Sequence, residues 1–111
     1  MPATKLAPPS EMIDQSHVEG VEKASAFLKG LANPHRLMVL CLLGDGELSV
    51  SALEAALGIR QPTLSQQLAR LRADGLVKTR REGKTIFYRV ADERAASMIV
   101  ILQDMFCPPE G

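Results

Sequence analysis

The sequence predicts a mostly α-helical fold with a two-stranded β wing, a winged helix-turn-helix with the element order α-α-α-α-β-β-α. Two observations between residues 60 and 89 lead to this prediction. Leu64, Leu68 and Leu71 follow a proline and repeat at i, i+4 and i+7, which is the spacing of one buried helix face. Beyond Gly75, two short runs rich in β-branched and aromatic residues flank Glu82-Gly83-Lys84, which indicates a hairpin. A helix that ends at a glycine and is followed by a hairpin is typical of the second half of this fold.

A second stripe of side chains runs along another face of the same helix. It consists of hydrogen-bonding residues at i, i+3, i+4 and i+7, namely Thr63, Gln66, Gln67 and Arg70. Such side chains read base edges and contact phosphates, and a helix that carries them fits the major groove of duplex DNA. The predicted contacts from this helix are Gln61, Thr63, Ser65, Gln66, Gln67 and Arg70. The predicted wing contacts, on phosphate or in the minor groove, are Arg80, Arg81, Lys84 and Thr85.

The first two predicted helices precede this unit. Residues 18–31 form a moderately amphipathic pattern that ends before Asn33. Asn33 followed by Pro34 is a cap and first-turn signal for a second helix, in which residues 37–43 are all apolar. A helix that is apolar on all sides is expected at the centre of the core.

A third helix and a last helix complete the predicted order. Ser51, with Glu54 three residues later, indicates a capping box for a helix from Ala52 to Leu57, and a tight turn follows at Gly58. Asp92 can cap a last helix whose apolar face is wider than one small core needs. We expect this excess to form a homodimer surface together with the first helix. The alternative is that one end of a monomer packs on the other.

The domain organisation follows from length and composition. The 111 residues allow one domain. Residues 1–15 contain three prolines and little periodicity, so we expect a flexible arm, followed by one DNA-binding and dimerisation domain over residues 16–111. No apolar run approaches the roughly 18 residues of a membrane span, and the N-terminus lacks the layout of a secretory signal. A cytoplasmic protein without a membrane partner is the expectation.

The charge distribution supports a nucleic-acid partner although the formal net charge is zero. Residues 60–89 hold eight Lys or Arg and two acidic residues, a net charge of +6, whereas the segments on either side each carry −3. A local positive potential on one face is what phosphate binding requires. Because the basic segment coincides with the polar helix and the hairpin, we expect double-stranded DNA as the partner.

The sequence resembles the ArsR/SmtB-type bacterial repressors, which are small dimeric winged-helix proteins. The motifs that carry the resemblance are Leu31-Ala32-Asn33-Pro34-His35-Arg36-Leu37, Gly46-Glu47-Leu48-Ser49-Val50-Ser51, Gln61-Pro62-Thr63-Leu64-Ser65-Gln66-Gln67-Leu68, Leu71-Arg72, Gly75-Leu76-Val77 and Arg81-Glu82-Gly83-Lys84. The resemblance implies a homodimer that binds operator DNA and represses transcription.

The sequence departs from the metal-sensing members of that family. Many of them have two cysteines where this chain has Ser49 and Ser51, and serine is a poor ligand for soft metals. The last predicted helix contains no histidine, and neither His17 nor His35 has a partner at ligand spacing. We therefore expect no metal site and no cofactor.

The two cysteines, Cys41 and Cys107, are the remaining candidates for a sensor. Cys41 taken alone would be a small packed hydrophobe in an apolar helix. As a pair, the cysteines resemble those of the persulfide-responsive branch of the family. That resemblance implies that a persulfide or polysulfide inducer bridges Cys41 and Cys107 with sulfur atoms, and that the bridged dimer leaves its operator.

Several alternatives remain open from the residues alone. Cys41 and Cys107 could form an ordinary disulfide in redox sensing, or the winged helix could dock a protein instead of DNA. A direct disulfide needs Cα atoms about 4.4 to 6.8 Å apart, and we expect the reduced thiols to lie too far apart for an unstrained one. No acid, base or nucleophile constellation besides the thiols is present, so an enzyme is not expected.

Overall fold

A computed structural model describes residues 14–107. Within this part of the chain, five helices surround a small antiparallel sheet of three strands, and the predicted arm lies outside it except for residues 14 and 15. The helices are α1 Gln15–Leu31, α2 Pro34–Leu43, α3 Val50–Leu57, α4 Gln61–Ala73 and α5 Glu93–Phe106, and the strands are β1 Leu48–Ser49, β2 Val77–Glu82 and β3 Thr85–Val90. The winged helix-turn-helix prediction is confirmed, with one short strand added.

Side-chain caps explain where three helices begin. The Asp14 carboxylate accepts the His17 N–H, so α1 starts at Gln15, three residues before the predicted start. The Asn33 side chain accepts two backbone N–H groups at the start of α2, where a proline occupies the first turn. Asp92 does the same for α5. The predicted caps at Asn33 and Asp92 are confirmed.

The prediction for the start of α3 was wrong. The helix begins at Val50, and its cap is Ser49, whose hydroxyl accepts the Ala52 N–H at 3.1 Å. Ser49 is free to cap because it lies in extended backbone, paired with Phe87 of β3. The predicted turn after α3 is confirmed, since Gly58 closes the helix in the left-handed conformation at φ 64°.

The hairpin is fixed by its register. Glu82 pairs with Thr85 and Val77 pairs with Val90, and Gly83 turns the chain at φ 62°. The unpredicted strand β1 lies on the other edge of β3. Two residues are too few to show an alternating pattern, so this strand could not be seen in the sequence. It ties the start of α3 to the base of the wing.

The core is built around α2, as predicted. Val39 and Leu40 are fully buried against Leu53 of α3 and against the three leucines of α4. Removal of such a side chain costs about 2 to 5 kcal/mol of unfolding free energy. One side of α2 nevertheless reaches the surface, since Met38 is 48% exposed and Cys41 is half-buried.

The outer sides of α1 and α5 carry large apolar residues that the rest of residues 14–107 leaves exposed. We call this surface the end-helix face; it consists of Val18, Val21 and Leu28 of α1 and Val100, Ile101, Met105 and Phe106 of α5. Val21 and Phe106 are 68% and 72% exposed. These residues agree with the expected wide apolar face of the last helix. No helix between residues 14 and 107 is long and apolar enough to cross a membrane.

Candidate functional site

The predicted reading helix is α4, and its leucines decide which of its side chains face outward. Leu64, Leu68 and Leu71 are buried in the core. Because these three fix the rotation of α4, the predicted contacts fall into two groups. The exposed group is Gln61, Ser65, Gln66 and Arg70, and the half-buried group is Thr63 and Gln67.

Two of the predicted contacts on α4 already have partners within the protein. The Oε1 atom of Gln67 accepts a hydrogen bond of 2.9 Å from Nη1 of Arg36. Nε of Arg70 lies 3.0 Å from Oδ2 of Asp74, four residues further along the helix, with both side chains partly exposed. Arg36 was not among the predicted functional residues, although it lies in one of the motifs that carry the family resemblance.

The wing presents a basic tip. Arg81, Lys84 and Thr85 are exposed at or beside the turn at Gly83. Within residues 14–107, neither Arg81 nor Lys84 forms a salt bridge. Their charges are therefore available for a phosphate backbone.

Arg80 has a different environment from its neighbour Arg81. Its guanidinium forms ion pairs with Glu47 and with Glu82 and lies 4.6 Å from the centre of the Phe87 ring. The hydrogen bond from Arg80 lowers the pKa of Glu47, and the two carboxylates raise the pKa of Arg80. Arg80 thus fastens the wing to the segment before β1. Sequence patterns could not reveal this role because Glu47 lies far away along the chain.

The structure brings Cys41 and Cys107 to the same groove. The thiol groove is an apolar depression of about 490 Å³ between α2 and α5, lined by Leu37, Met38, Cys41, Leu42, Leu57, Ile99, Leu102, Gln103, Phe106 and Cys107. Cys41 is half-buried on α2, and Cys107 is exposed at the C-terminal end of α5. Both are free thiols. The exposed thiol of Cys107 is accessible to a reagent.

The surroundings of Cys41 control its protonation. Burial raises the pKa of the Cys41 thiol above its ordinary value. The polar side chain of Gln103 on α5 lowers this pKa, and a thiolate on Cys107 would raise it further. Gln103 was missed at the sequence level because a glutamine on a helix has no signal that pairs it with a distant thiol.

Ser49, which stands where metal-sensing relatives have a cysteine, and His17, one of the two histidines, each have a role in the fold. Ser49 caps α3 with its hydroxyl, and His17 bonds to the Asp14 carboxylate at 3.0 Å. Among residues 14–107, no group of three or more His, Cys, Asp or Glu side chains is arranged to hold a metal ion.

Known proteins share both the sequence pattern and the fold. Residues 33–79, which run from the cap of α2 into β2, match the family described as "Bacterial regulatory protein, arsR family". The biofilm growth-associated repressor of Agrobacterium fabrum is 57% identical over 88 residues, which are 79% of this chain and 75% of that protein.

Solved structures have the same fold. Reduced HlyU of Vibrio cholerae, a protein named as a transcriptional activator, superposes with a TM-score of 0.81 at 44% identity, covering 85% of this chain and 99% of that one. The homodimeric winged helix-turn-helix DNA-binding domain Mb0332 of Mycobacterium bovis superposes with a TM-score of 0.70 at 34% identity, covering 84% and 86%. By sequence and by fold, the chain belongs to the ArsR family of bacterial regulatory proteins.

Proposed function

We propose that the protein is a homodimeric transcriptional repressor that binds operator DNA while its thiols are reduced and is released when a persulfide bridges Cys41 and Cys107. The observation that carries the sensing part is the thiol groove. Two cysteines far apart in the sequence line one apolar depression, one fixed on α2 and the other exposed at the end of α5.

The DNA-binding part is supported by charge and by relatives. The exposed polar residues of α4 and the basic tip of the wing belong to the one segment with a net positive charge. Residues 14–107 also include the full helix-turn-helix of a family of regulators. Repression is the favoured direction because the 57% identical relative is named a repressor. A reporter gene behind the bound promoter tests the direction, since an activator would raise its expression.

The homodimer is supported by the end-helix face. Seven large apolar residues on two helices of a small domain, exposed within residues 14–107, call for a partner. A second copy fits best, because a two-fold dimer presents two reading helices to two half-sites of duplex DNA. One solved relative is a homodimer of this fold.

The bridging reaction is balanced with persulfides as the only reagent. Each thiolate attacks the outer sulfur of one RSSH, forms a cysteine persulfide and releases RSH. The persulfide on one cysteine then attacks the inner sulfur of the other and displaces H₂S, which leaves a trisulfide. Two protein thiols and two RSSH therefore give one trisulfide bridge, two RSH and one H₂S. No separate oxidant is needed.

A bridge between the two cysteines would couple to DNA binding through α5. This helix carries Cys107 and also supplies four residues of the end-helix face. A covalent tie from α5 to α2 therefore acts on the surface that sets the spacing of the two reading helices. Couplings of this kind are typically about 1 to 3 kcal/mol, which corresponds to roughly 5- to 150-fold in affinity.

The test is operator binding by the wild type and by Cys41→Ser, each with and without a persulfide donor. Cys107→Ser serves as the matched second variant. We expect all three reduced proteins to bind with similar affinity and only the wild type to be released by the donor. Release of either single-cysteine variant would show that the bridge is not the signal, and absence of DNA binding by all three would overturn the repressor assignment.

A further inference from the structure

Arg36 connects α1 to the reading helix. Its Nε atom donates to the carbonyl of Gly30 at 2.7 Å, and Nη2 donates to the carbonyl of Lys29 at 3.3 Å. These carbonyls belong to the last turn of α1, where no intrahelical N–H is available. The remaining donor, Nη1, bonds to Oε1 of Gln67 on α4 at 2.9 Å. The guanidinium thus holds the end of α1 and one reading side chain at the same time.

The contact fixes which end of the Gln67 amide faces outward. A guanidinium only donates hydrogen bonds, so the group facing Arg36 must be the amide oxygen. The Gln67 side chain is half-buried, which restricts its rotation further. Its NH₂ group is the part turned away from Arg36, and an NH₂ group only donates.

We propose that Arg36 is a positioning residue for base reading, which turns the NH₂ group of Gln67 outward so that Gln67 prefers guanine or thymine to adenine. This inference rests on the proposed DNA binding. A glutamine pairs with adenine by accepting from N6 and donating to N7 along one edge of the amide. The Gln67 oxygen keeps a second lone pair, but its hydrogen bond turns it toward Arg36, which leaves the NH₂ group as the outward end of the amide. Guanine presents two acceptors in the major groove and thymine presents O4.

A second contact keeps α1 and α4 in this arrangement. A Cβ atom added at Gly30 would come within 3.2 Å of Asp74 Oδ2 and 3.3 Å of Leu76 Cδ1, so the end of α1 lies directly against the end of α4. Asp74 is itself held by Arg70. Arg36 therefore links the end of α1 to Gln67 of α4, and Gly30 packs against Asp74 at the end of the same helix. With both contacts in place, α4 has little freedom to turn Gln67 away from Arg36.

The test is selection from a randomised duplex library, in which the operator sequence does not have to be chosen beforehand. The wild type, Arg36→Met and Gln67→Glu are each selected and sequenced, and their unfolding temperatures are measured in parallel. In Arg36→Met the Gln67 oxygen is free, and we expect one position of each half-site to gain about fivefold or more in preference for adenine. In Gln67→Glu the contact to Arg36 is kept as an ion pair but the donor is gone, so the guanine or thymine preference at that same position should be lost.

Each outcome decides the proposal. If Arg36→Met binds with unchanged base preferences, or with only a uniform loss of affinity, Arg36 has a structural role and the proposal is wrong. If Arg36→Met does not fold, Gln67→Glu decides, and unchanged preferences in that variant overturn the proposal. If the wild type itself selects no duplex, the proposed DNA-binding function has failed instead.

Discussion

Nε of Arg80 donates a hydrogen bond of 2.6 Å to Oε1 of Glu47, although the two residues lie 33 positions apart in the chain. The same guanidinium is paired with Glu82 and lies over the Phe87 ring. Its neighbour Arg81 has no such partners among residues 14–107. Two adjacent arginines of β2 therefore have separate tasks, one in the wing's own structure and one available to a ligand.

Arg81→Ala is expected to flatten the salt dependence of operator binding. If Arg81 neutralises one phosphate, the slope of log K against log salt concentration should fall by about 0.9. Arg80→Ala is the matched variant, and it should change the slope less because two carboxylates already neutralise Arg80. Fluorescence anisotropy over a salt series measures both slopes. Equal slopes for the two variants would contradict the division of roles.

The reactivity of Cys41 should depend on pH and on Gln103. Burial places the pKa of Cys41 above its ordinary value of 9.0, so its thiolate fraction increases about tenfold per unit between pH 7 and 9. The rate at which iodoacetamide alkylates Cys41 in the Cys107→Ser variant should increase with pH by the same factor. Gln103→Leu removes the hydrogen bond that lowers the pKa, so alkylation at pH 8 should become slower.

The control for this measurement is the unfolded chain in denaturant. In denaturant, iodoacetamide should alkylate Cys41 at the same rate in the Cys107→Ser protein with and without Gln103→Leu. The reason is that Gln103 lies near Cys41 only in the folded state. If the folded Gln103→Leu variant reacts as fast as its parent, Gln103 does not act on the thiol.

A charge on the end-helix face should dissociate the dimer. Val21→Glu and Phe106→Glu each place a carboxylate where apolar surface is expected to be covered, and an unpaired buried charge is costly. Sedimentation velocity should show monomers for both variants at concentrations where the wild type is a dimer. Ala56→Glu, on the exposed side of α3, is the control and should leave the dimer intact. Dimers in all three variants would place the interface elsewhere.

Persulfides and peroxide should give different products. If the reduced thiols lie too far apart for an unstrained disulfide, a persulfide donor should add one or more sulfur atoms with the loss of two hydrogens. Peroxide should give little direct disulfide, which is the product that has lost two hydrogens and gained no sulfur. Intact-mass spectrometry distinguishes the two masses. Rapid formation of the direct disulfide by peroxide, together with release from DNA, would favour ordinary redox sensing instead.

The fold was predictable because each element has a local signal. The leucine spacing of α4, the Asn33 cap and the wing turn at Gly83 all depend on residues close together in the chain. The start of α3 was mispredicted because its cap, Ser49, depends on a strand pairing with β3. The sequence around α3 gives no sign that Ser49 pairs with β3.

The residues of the candidate site could be proposed from the sequence, but their contacts within the protein could not. The polar face of α4 and the basic wing followed from spacing and charge. The partners of Gln67 and Arg80 did not, because Arg36 and Glu47 reach them only through the tertiary fold. The shared groove of Cys41 and Cys107 was expected from family resemblance, and it depends on α5 returning to pack near α2.

Thiol control is tested most directly by comparing one protein in two chemical states. Wild type is bridged with a persulfide donor, the bridge is verified by intact mass, and the operator dissociation constants of the bridged and reduced dimers are measured in the same buffer and salt. We expect the bridged dimer to bind at least about fivefold more weakly, and reduction by a dithiol to restore the affinity. Equal dissociation constants for the two states would show that the thiols do not govern DNA binding.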